Sequence, residues 1–511
     1  LKNKLPNNIK KFVIDNENRL VFLTEEGKLY LYFFAFDKSK PLLSFIKIIE
    51  HPGAISTIYL TDESFIADSK RSITLFSNYI PQRTINLPRE KNVSQIIQQN
   101  NLLFISFIEG ECMKYNLEDG SEEKLSNLPE KISIFTIYNS SQDVLWIGTD
   151  GQGILKVYKY KSPFHTIKTN YPTRCFCEED NGNILAGTKG EGILLIDKQN
   201  GKAESYLTIA DGLISNSVYA MRKNMSGDIF IWTEGEGINY MMRNDKRIKK
   251  LNIPPKFPSF KAIYSILFTH NDSLLWLGTS GFGLIKLHLC REGQEYKVTD
   301  IKQYKSPGSA SPSHNIIYSV MTGYDNNTLW IGTRGGGINR LNISTEQFEE
   351  LSDINADLSL TNNDILYLAK GDSASIWIGT SYGLNRLLST NGSTSLTEYT
   401  DNNGLLNNTI HGIIESNNQH IWFSTNNGLS AIDLTLGEIT NYSYKNGLQN
   451  DEFSDGAIFK DKAGWLYFGG VSGLNYFDEN KIRLRDHIAT LSLNSLKINN
   501  TSQNIYERIH N

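Results

Sequence analysis

Cysteine is scarce in this sequence of 511 residues, with four in all, at Cys112, Cys175, Cys177 and Cys290. No two stand at C-x-x-C spacing, so neither a zinc knuckle nor a redox dithiol is encoded, and a disulfide scaffold is excluded for a chain of this length. Cys175 and Cys177 are two apart and face one side of a strand, as buried thiols do. An excess of charge is also missing: 51 Lys and Arg meet 55 Asp and Glu, for a net charge of -4. Without a basic field, this region is expected to bind neither nucleic acid nor an anionic membrane surface. No apolar run approaches the ~18 residues that span a bilayer. No apolar segment follows the opening Leu1-Lys2-Asn3-Lys4, so an export signal or membrane helix is expected outside this stretch. Motifs of catalysis are lacking too. There is no G-x-S-x-G, no H-E-x-x-H, and the 9 His are scattered, so catalytic residues, metal and cofactor are all expected to be absent. An active site assembled from several repeats leaves no local signature, which keeps a glycan-cleaving enzyme or a protein-binding scaffold open as alternatives.

What is abundant is 40 Gly, 25 Tyr and 24 Phe, in a composition that is 39% hydrophobic and 21% charged. That is a globular mixture of short strands and tight turns. One phrase recurs: apolar, Trp, apolar, Gly, Thr, a glycine turn, then Ile or Leu. Its copies start at Leu145, Ile184, Ile229, Leu275, Leu329, Ile376, Ile421 and Leu466. The anchors are Thr149, Thr188, Thr233, Thr279, Thr333, Thr380, Thr425 and Gly470, and their successive spacings are 39, 45, 46, 54, 47, 45 and 45. A period near ~46 made of several short strands predicts the four-stranded blade of a β-propeller, which must stack on its neighbours to cover its faces.

Weaker copies at Leu20–Tyr32, Phe65–Phe76 and Leu102–Tyr115 bring the total to eleven units. Within a unit, an apolar strand such as Val218–Met221 precedes a polar turn (Asn224–Asp228). The Trp strand, a glycine hairpin, a third strand (Gly337–Leu341) and a polar fourth strand (Gln347–Glu349) follow. Five of the seven Trp lie three residues before their anchor and the other two, Trp232 and Trp465, are displaced by two. A shift of two keeps the strand face, so all seven are predicted to pack between blades.

The glycine turns, such as Gly335-Gly336-Gly337, mimic a phosphate loop, but a strand and not a helix follows each one, so they read as hairpins. About fourteen residues before each anchor stands a more varied set: Phe135, Arg174, Tyr219, Tyr264, Tyr318, Tyr367 and His411. If the first strand lines a central channel, Arg174, Tyr219, Tyr264, Tyr318, Tyr367 and His411 are candidate ligand-binding residues, since Tyr rings and hydroxyls suit sugar rings. The same rings would serve equally to fill space between blades. Asp211-Gly212-Leu213, Asp353–Asn363, Asn403–Asn408 and Asn446-Gly447-Leu448 read as connections between blades.

The L-W-I-G-T strand, the G-[IL]-N-R strand (Gly337–Arg340, Gly383–Arg386) and the preceding N-x-[IVL]-x-x-[IVL] strand resemble the two-component regulator propeller repeat. That repeat builds extracellular sensor regions of bacterial hybrid two-component histidine kinases. Asn450–Phe453, Gly464–Gly470 and Gly473–Asn475 resemble the family's last blade, and Leu491–Asn500 the start of its Ig-like domain. The resemblance implies an all-β chain. Residues 1–170 would be the C-terminal blades of a first propeller, 171–484 a seven-bladed propeller, and 485–511 the start of an Ig-like β-sandwich. It further implies a periplasmic, non-catalytic sensor that binds a glycan-derived oligosaccharide, needs no cofactor, acts as a homodimer and signals through a membrane helix outside this chain.

Overall fold

The computed structural model describes residues 5–482, 496–498 and 501–503, apart from 38–39, 52, 62–64, 70–71, 88–90, 126–127, 130–131, 141–143, 159–161, 236, 244, 255–262, 309, 352–357, 373–374 and 391–392. It is all-β. Among these residues are ten four-stranded antiparallel sheets, one three-stranded sheet and one hairpin, together with four short 3-10 turns. The eleven larger sheets coincide with the eleven sequence repeats. Of the expected Ig-like segment, only the hairpin of Leu496–Ile498 with Thr501–Gln503 is described; the rest of 485–511 lies outside the described residues. The chain divides into two compact units, Leu1–Lys161 and Ser162–Asn511.

The Leu1–Lys161 unit stacks four sheets in sequence order. Its cores lie between successive sheets: Val21, Leu31, Ile58 and Phe65 between the first two, Ile66, Ile96 and Leu103 between the next two, and Phe104, Ile134 and Ile147 between the last two.

In the Ser162–Asn511 unit the sheets close into a ring. Seven apolar clusters join seven four-stranded sheets pairwise, from Cys177 with Val218 through Phe423 with Trp377 to Phe468 with Trp422. The seventh cluster joins the last sheet to the first, through Tyr467 and Tyr476 against Phe176 and Ile184. The unit is therefore a β-propeller. Its ends are fastened by strand exchange, because His165–Lys168 pairs antiparallel with Gly473–Phe477 as the outer strand of the last sheet. For that reason the boundary between units falls at Lys161 and not at residue 170.

Each feature of the repeat has a physical task. The anchor threonine hydroxyl donates across its glycine hairpin: Thr188 to the Gly192 carbonyl at 3.0 Å, Thr279 to Gly283 at 2.7 Å, Thr333 to Gly337 at 2.8 Å and Thr425 to Gly428 at 3.0 Å. A buried hydroxyl is thereby satisfied and the turn held. Gly283 has φ +75° and a Cβ there would sit 2.1 Å from the Tyr304 carbonyl oxygen, so the turn needs glycine for its backbone and not for an anion. The Asn of the G-[IL]-N phrase is buried at 0–1% exposure in Asn239, Asn339, Asn385 and Asn475. Its Oδ1 accepts a connection-loop amide, from Ile214, Ser313, Thr361 and Gln449 respectively.

The tryptophans do not all pack between sheets as expected. Trp232, Trp276, Trp377 and Trp422 are at most 2% exposed, whereas Trp330 and Trp465 are half-buried. Trp146 is 40% exposed, because it stands on the last sheet of its unit and no later sheet of that unit covers it. The thiols of Cys112, Cys175 and Cys177 are buried and free. Burial pushes Cys112 up to about 12 and Cys177 up to about 11, and raises Cys175 as well, which leaves them inert packing groups.

Candidate binding site at one mouth of the channel

The innermost strands of the ring are Thr173–Glu178, Val218–Lys223, Ile263–Thr269, Ile317–Thr322, Ile365–Lys370, Ile410–Glu415 and Phe453–Lys460. The first residue of the first strand pairs with its anchor, Thr173 with Thr188, and the ladder then skips one residue before Cys175 pairs with Gly187. The same skip follows Val218, Ile263, Ile317, Ile365 and Ile410. The skipped residues are Arg174, Tyr219, Tyr264, Tyr318, Leu366 and His411. A β-bulge frees one residue from the ladder and re-aims its side chain. Repeated on six of the seven inner strands, it turns one residue per sheet towards the start of the channel.

Equivalent residues on adjacent strands touch, as strands running the same way allow. The Arg174 guanidinium lies over the Tyr219 ring, 4.7 Å from its centroid. The Tyr264 and Tyr318 rings are 5.0 Å apart, tilted by 53°. His411 Nδ1 donates to Asp455 Oδ1 and its Nε2 lies 2.7 Å from Asn426 Oδ1. Five of the six candidates, Arg174, Tyr219, Tyr264, Tyr318 and Tyr367, line one cavity of about 710 Å³ together with Asp455; His411 reaches it through Asp455.

The placement of Tyr367 is a correction to the sequence reading. The bulge residue on its strand is Leu366, and Tyr367 pairs with Gly379 one step deeper. At that level the other strands carry Cys175, Ala220, Ser265, Ser319 and Gly412. These residues are small, and the one large ring reaches to within 3.8 Å of where a Cβ on Gly456 would stand. The cause is a spacing of thirteen and not fourteen residues from Thr380. Phe135, at the equivalent bulge in the Leu1–Lys161 unit, is 59% exposed.

Asp455 was missed from sequence. Its strand has eight residues where the other inner strands have six or, in Ile263–Thr269, seven, and four residues, 454–457, oppose one between the pairs Phe453 with Gly470 and Ile458 with Phe468. The available signal was the interval of 17 from Phe453 to Gly470, against 15 from Thr173 to Thr188. This wide bulge carries Asp455 to the mouth, against His411.

Burial pulls the His411 pKa down, but hydrogen bonds to Asp455 and Asn426 and the Asp455 charge outweigh it and raise the pKa. A carboxylate on one nitrogen and an amide oxygen on the other both favour the protonated ring. Burial, with the nearby Asp455 and Asp364 carboxylates, raises Tyr318, and burial raises Tyr367. Both phenols therefore stay neutral donors.

A second tier lies outside the bulge residues. The residue after each anchor, Lys189, Glu234, Ser280, Arg334, Ser381, Asn426 and Val471 in turn, sits at the same mouth, as the contacts of Tyr264 with Ser280 (3.4 Å) and His411 with Asn426 show. The connections between sheets run straight into the inner strands and so ring this face as well. Three are 3-10 turns, Ile209–Asp211, Asp401–Asn403 and Tyr444–Asn446, each stopped by a left-handed glycine. The frame residues repeat around the ring while the mouth residues differ at every step. The site is thus an asymmetric set of rings, donors and acceptors on a near-symmetric scaffold, able to stack apolar ring faces and hydrogen-bond hydroxyls. Among the described residues, no three His, Cys, Asp or Glu side chains converge as for a metal ion, and no helix is long and apolar enough to cross a membrane.

Residues 404–427 match the family described as "Two component regulator propeller". The chain is 24% identical over 273 residues to histidine kinase P4 of Formosa agariphila, an alignment covering 51% of this chain and 19% of that protein. Among solved structures, it is similar to the extracellular domain of a hybrid two-component system of B. thetaiotaomicron. The TM-score is 0.62 at 22% identity, over 98% of this chain and 67% of the other. A second such domain from the same organism gives a TM-score of 0.52 at 18% identity, over 98% and 69%. These likenesses show the fold, and the chain spans about a fifth of the curated relative it matches.

Proposed function

We propose, from the premise that this chain carries the two-component regulator propeller repeat, that it is the sensor region of a hybrid two-component system and binds an oligosaccharide at the channel mouth of the Ser162–Asn511 unit. The observation that carries the reading is the repeated bulge, which delivers Arg174, Tyr219, Tyr264, Tyr318 and His411 to one mouth. None of them is demanded there by strand pairing. Aromatic faces with hydroxyls around a cavity of about 710 Å³ with a mixed polar and apolar lining are what a sugar of a few residues needs. In this reading the site binds a sugar without cleaving it, and the acid at the mouth, Asp455, holds His411 in place.

In this reading the chain stands outside the cytoplasmic membrane, in the periplasm, as a homodimer whose membrane helix and histidine kinase belong to other parts of the protein. The sugar shifts the signalling equilibrium by its differential affinity for two arrangements of that dimer. The test is calorimetric titration with a panel of neutral and acidic oligosaccharides, with chromatography of each mixture afterwards. Saturable binding with the sugar recovered intact supports a sensor; shortened products refute it in favour of a glycan-cleaving enzyme.

A further inference from the structure

The channel inverts the sign of the chain's net charge. Its lining holds Arg174 at the mouth and Arg222, Lys223, Lys370 and Lys462 towards the far ends of the inner strands, against Asp455 at the mouth and Glu178 at the far end, while the whole sequence carries -4. Part of this charge is already engaged. Lys223 pairs with Asp180 at 3.1 Å, Lys370 donates to the Gly323 carbonyl at 2.9 Å, and Glu178 accepts the Lys462 amide at 3.1 Å. Arg174 is different. Its face is taken by the Tyr219 ring, yet among the described residues no carboxylate pairs with it, and its Nε is buried without a hydrogen-bond partner. The nearest acid in the ring, Asp455 on the adjoining strand, is turned away to His411. At the rim, Arg334 and Asp364 act on Tyr318 with opposite signs.

An arginine seated over an aromatic ring and paired with no carboxylate is suited to a planar or tetrahedral anion, because a guanidinium can meet two oxygens at once. A cleft lined by an excess of one charge also concentrates ligands of the other. Resting on the saccharide reading above, we infer that the ligand is an acidic oligosaccharide, whose carboxylate or sulfate is taken by Arg174 while a neighbouring ring stacks on Tyr264 and Tyr318. Arg174 is then the residue that sets specificity between acidic and neutral sugars at this mouth.

The test uses the whole chain and pairs of size-matched tetrasaccharides, each an acid and its uncharged counterpart: galacturonate with its methyl ester, and sulfated with desulfated galactan. Affinity is read by calorimetry at low and at raised sodium chloride. One acid is expected to bind at least about tenfold tighter than its uncharged counterpart, with the advantage shrinking in salt. Arg174→Gln is expected to lower the acid to the level of the counterpart, and Arg174→Lys to retain part of the preference, with unchanged melting curves as the folding control. Whichever acid responds separates carboxylate from sulfate recognition. Equal affinity for acid and counterpart, an Arg174→Gln protein that keeps the preference, or binding confined to neutral sugars would overturn this inference and leave the saccharide reading standing. Silence towards every sugar would overturn the saccharide reading and the inference with it.

Discussion

Asn385 offers a quantitative test of how the repeat holds its connections. It is 0% exposed, its Oδ1 accepts the Thr361 amide at 3.1 Å, and its Nδ2 donates to the Thr361 hydroxyl at 2.7 Å. In Asn385→Ala the loop amide loses its partner inside the fold, a cost of about 1–3 kcal/mol, and a second hydrogen bond of about 1 kcal/mol disappears. The Thr361 hydroxyl keeps the Thr380 hydroxyl at 3.3 Å, which limits the total to about 2–4 kcal/mol. At ~2.1 cal/mol/K of unfolding entropy per residue, the propeller unit of about 350 residues unfolds with roughly 0.7 kcal/mol/K, so the melting temperature should fall by about 3–5 °C. Differential scanning calorimetry reads this directly, with the exposed Asn402→Ala as a control expected to move by less than about 1 °C. A fall in Asn385→Ala no larger than that of the control would refute the clamp.

Two further outcomes follow from burial and charge. His411 has a raised folded pKa, so its stabilisation is full below its unfolded value of about 6.5 and is lost as pH climbs through the raised one. The melting-temperature gap between wild type and His411→Gln should therefore be wider at about pH 5.5 than at about pH 9, and an equal gap at both would show that the Asp455 pair contributes no charge-dependent stability. Trp276→Ala, which empties a 0% exposed site and removes the 2.9 Å hydrogen bond from its ring nitrogen to the Thr269 hydroxyl, should cost about 3–5 kcal/mol. Trp146→Ala, at a site 40% exposed, should cost less than about 1 kcal/mol in chemical denaturation of its own unit.

The fold was legible because a sheet that must stack repeats its packing residues. Thr188, Thr279, Thr333 and their equivalents recur at a spacing the eye can follow, and each makes the same hydroxyl bond across its turn. The Asn of the G-[IL]-N phrase was visible as a motif, but its task was not, since its partner lies in a connection 24 to 26 residues away. The candidate ring was legible for Arg174, Tyr219, Tyr264, Tyr318 and His411, where the interval to the anchor is constant enough to mark the bulge. It failed by one residue at Tyr367, because a bulge shifts the register by one and the sequence carries no separate sign of where the skip falls. Asp455 was hidden because it lies in a longer bulge around Gly456 (φ 65°), outside the common pattern. Trp146 shows the same limit from the other side: its motif is that of a buried Trp, and only the position of its sheet within the unit exposes it.

The start of the propeller channel is the surface proposed to receive a sugar. The most direct measurement is titration of the wild-type chain and of the Tyr264→Ala/Tyr318→Ala double variant with whichever oligosaccharide of the panel binds, with circular dichroism to confirm that both are folded. Tyr264 is 39% exposed and the two rings lie against each other at 5.0 Å, so their removal takes away the stacking surface while leaving the cores between sheets in place. The account predicts a loss of affinity of at least about tenfold, the equivalent of ~1.4 kcal/mol. Undiminished binding by the folded double variant would contradict it and move the site elsewhere.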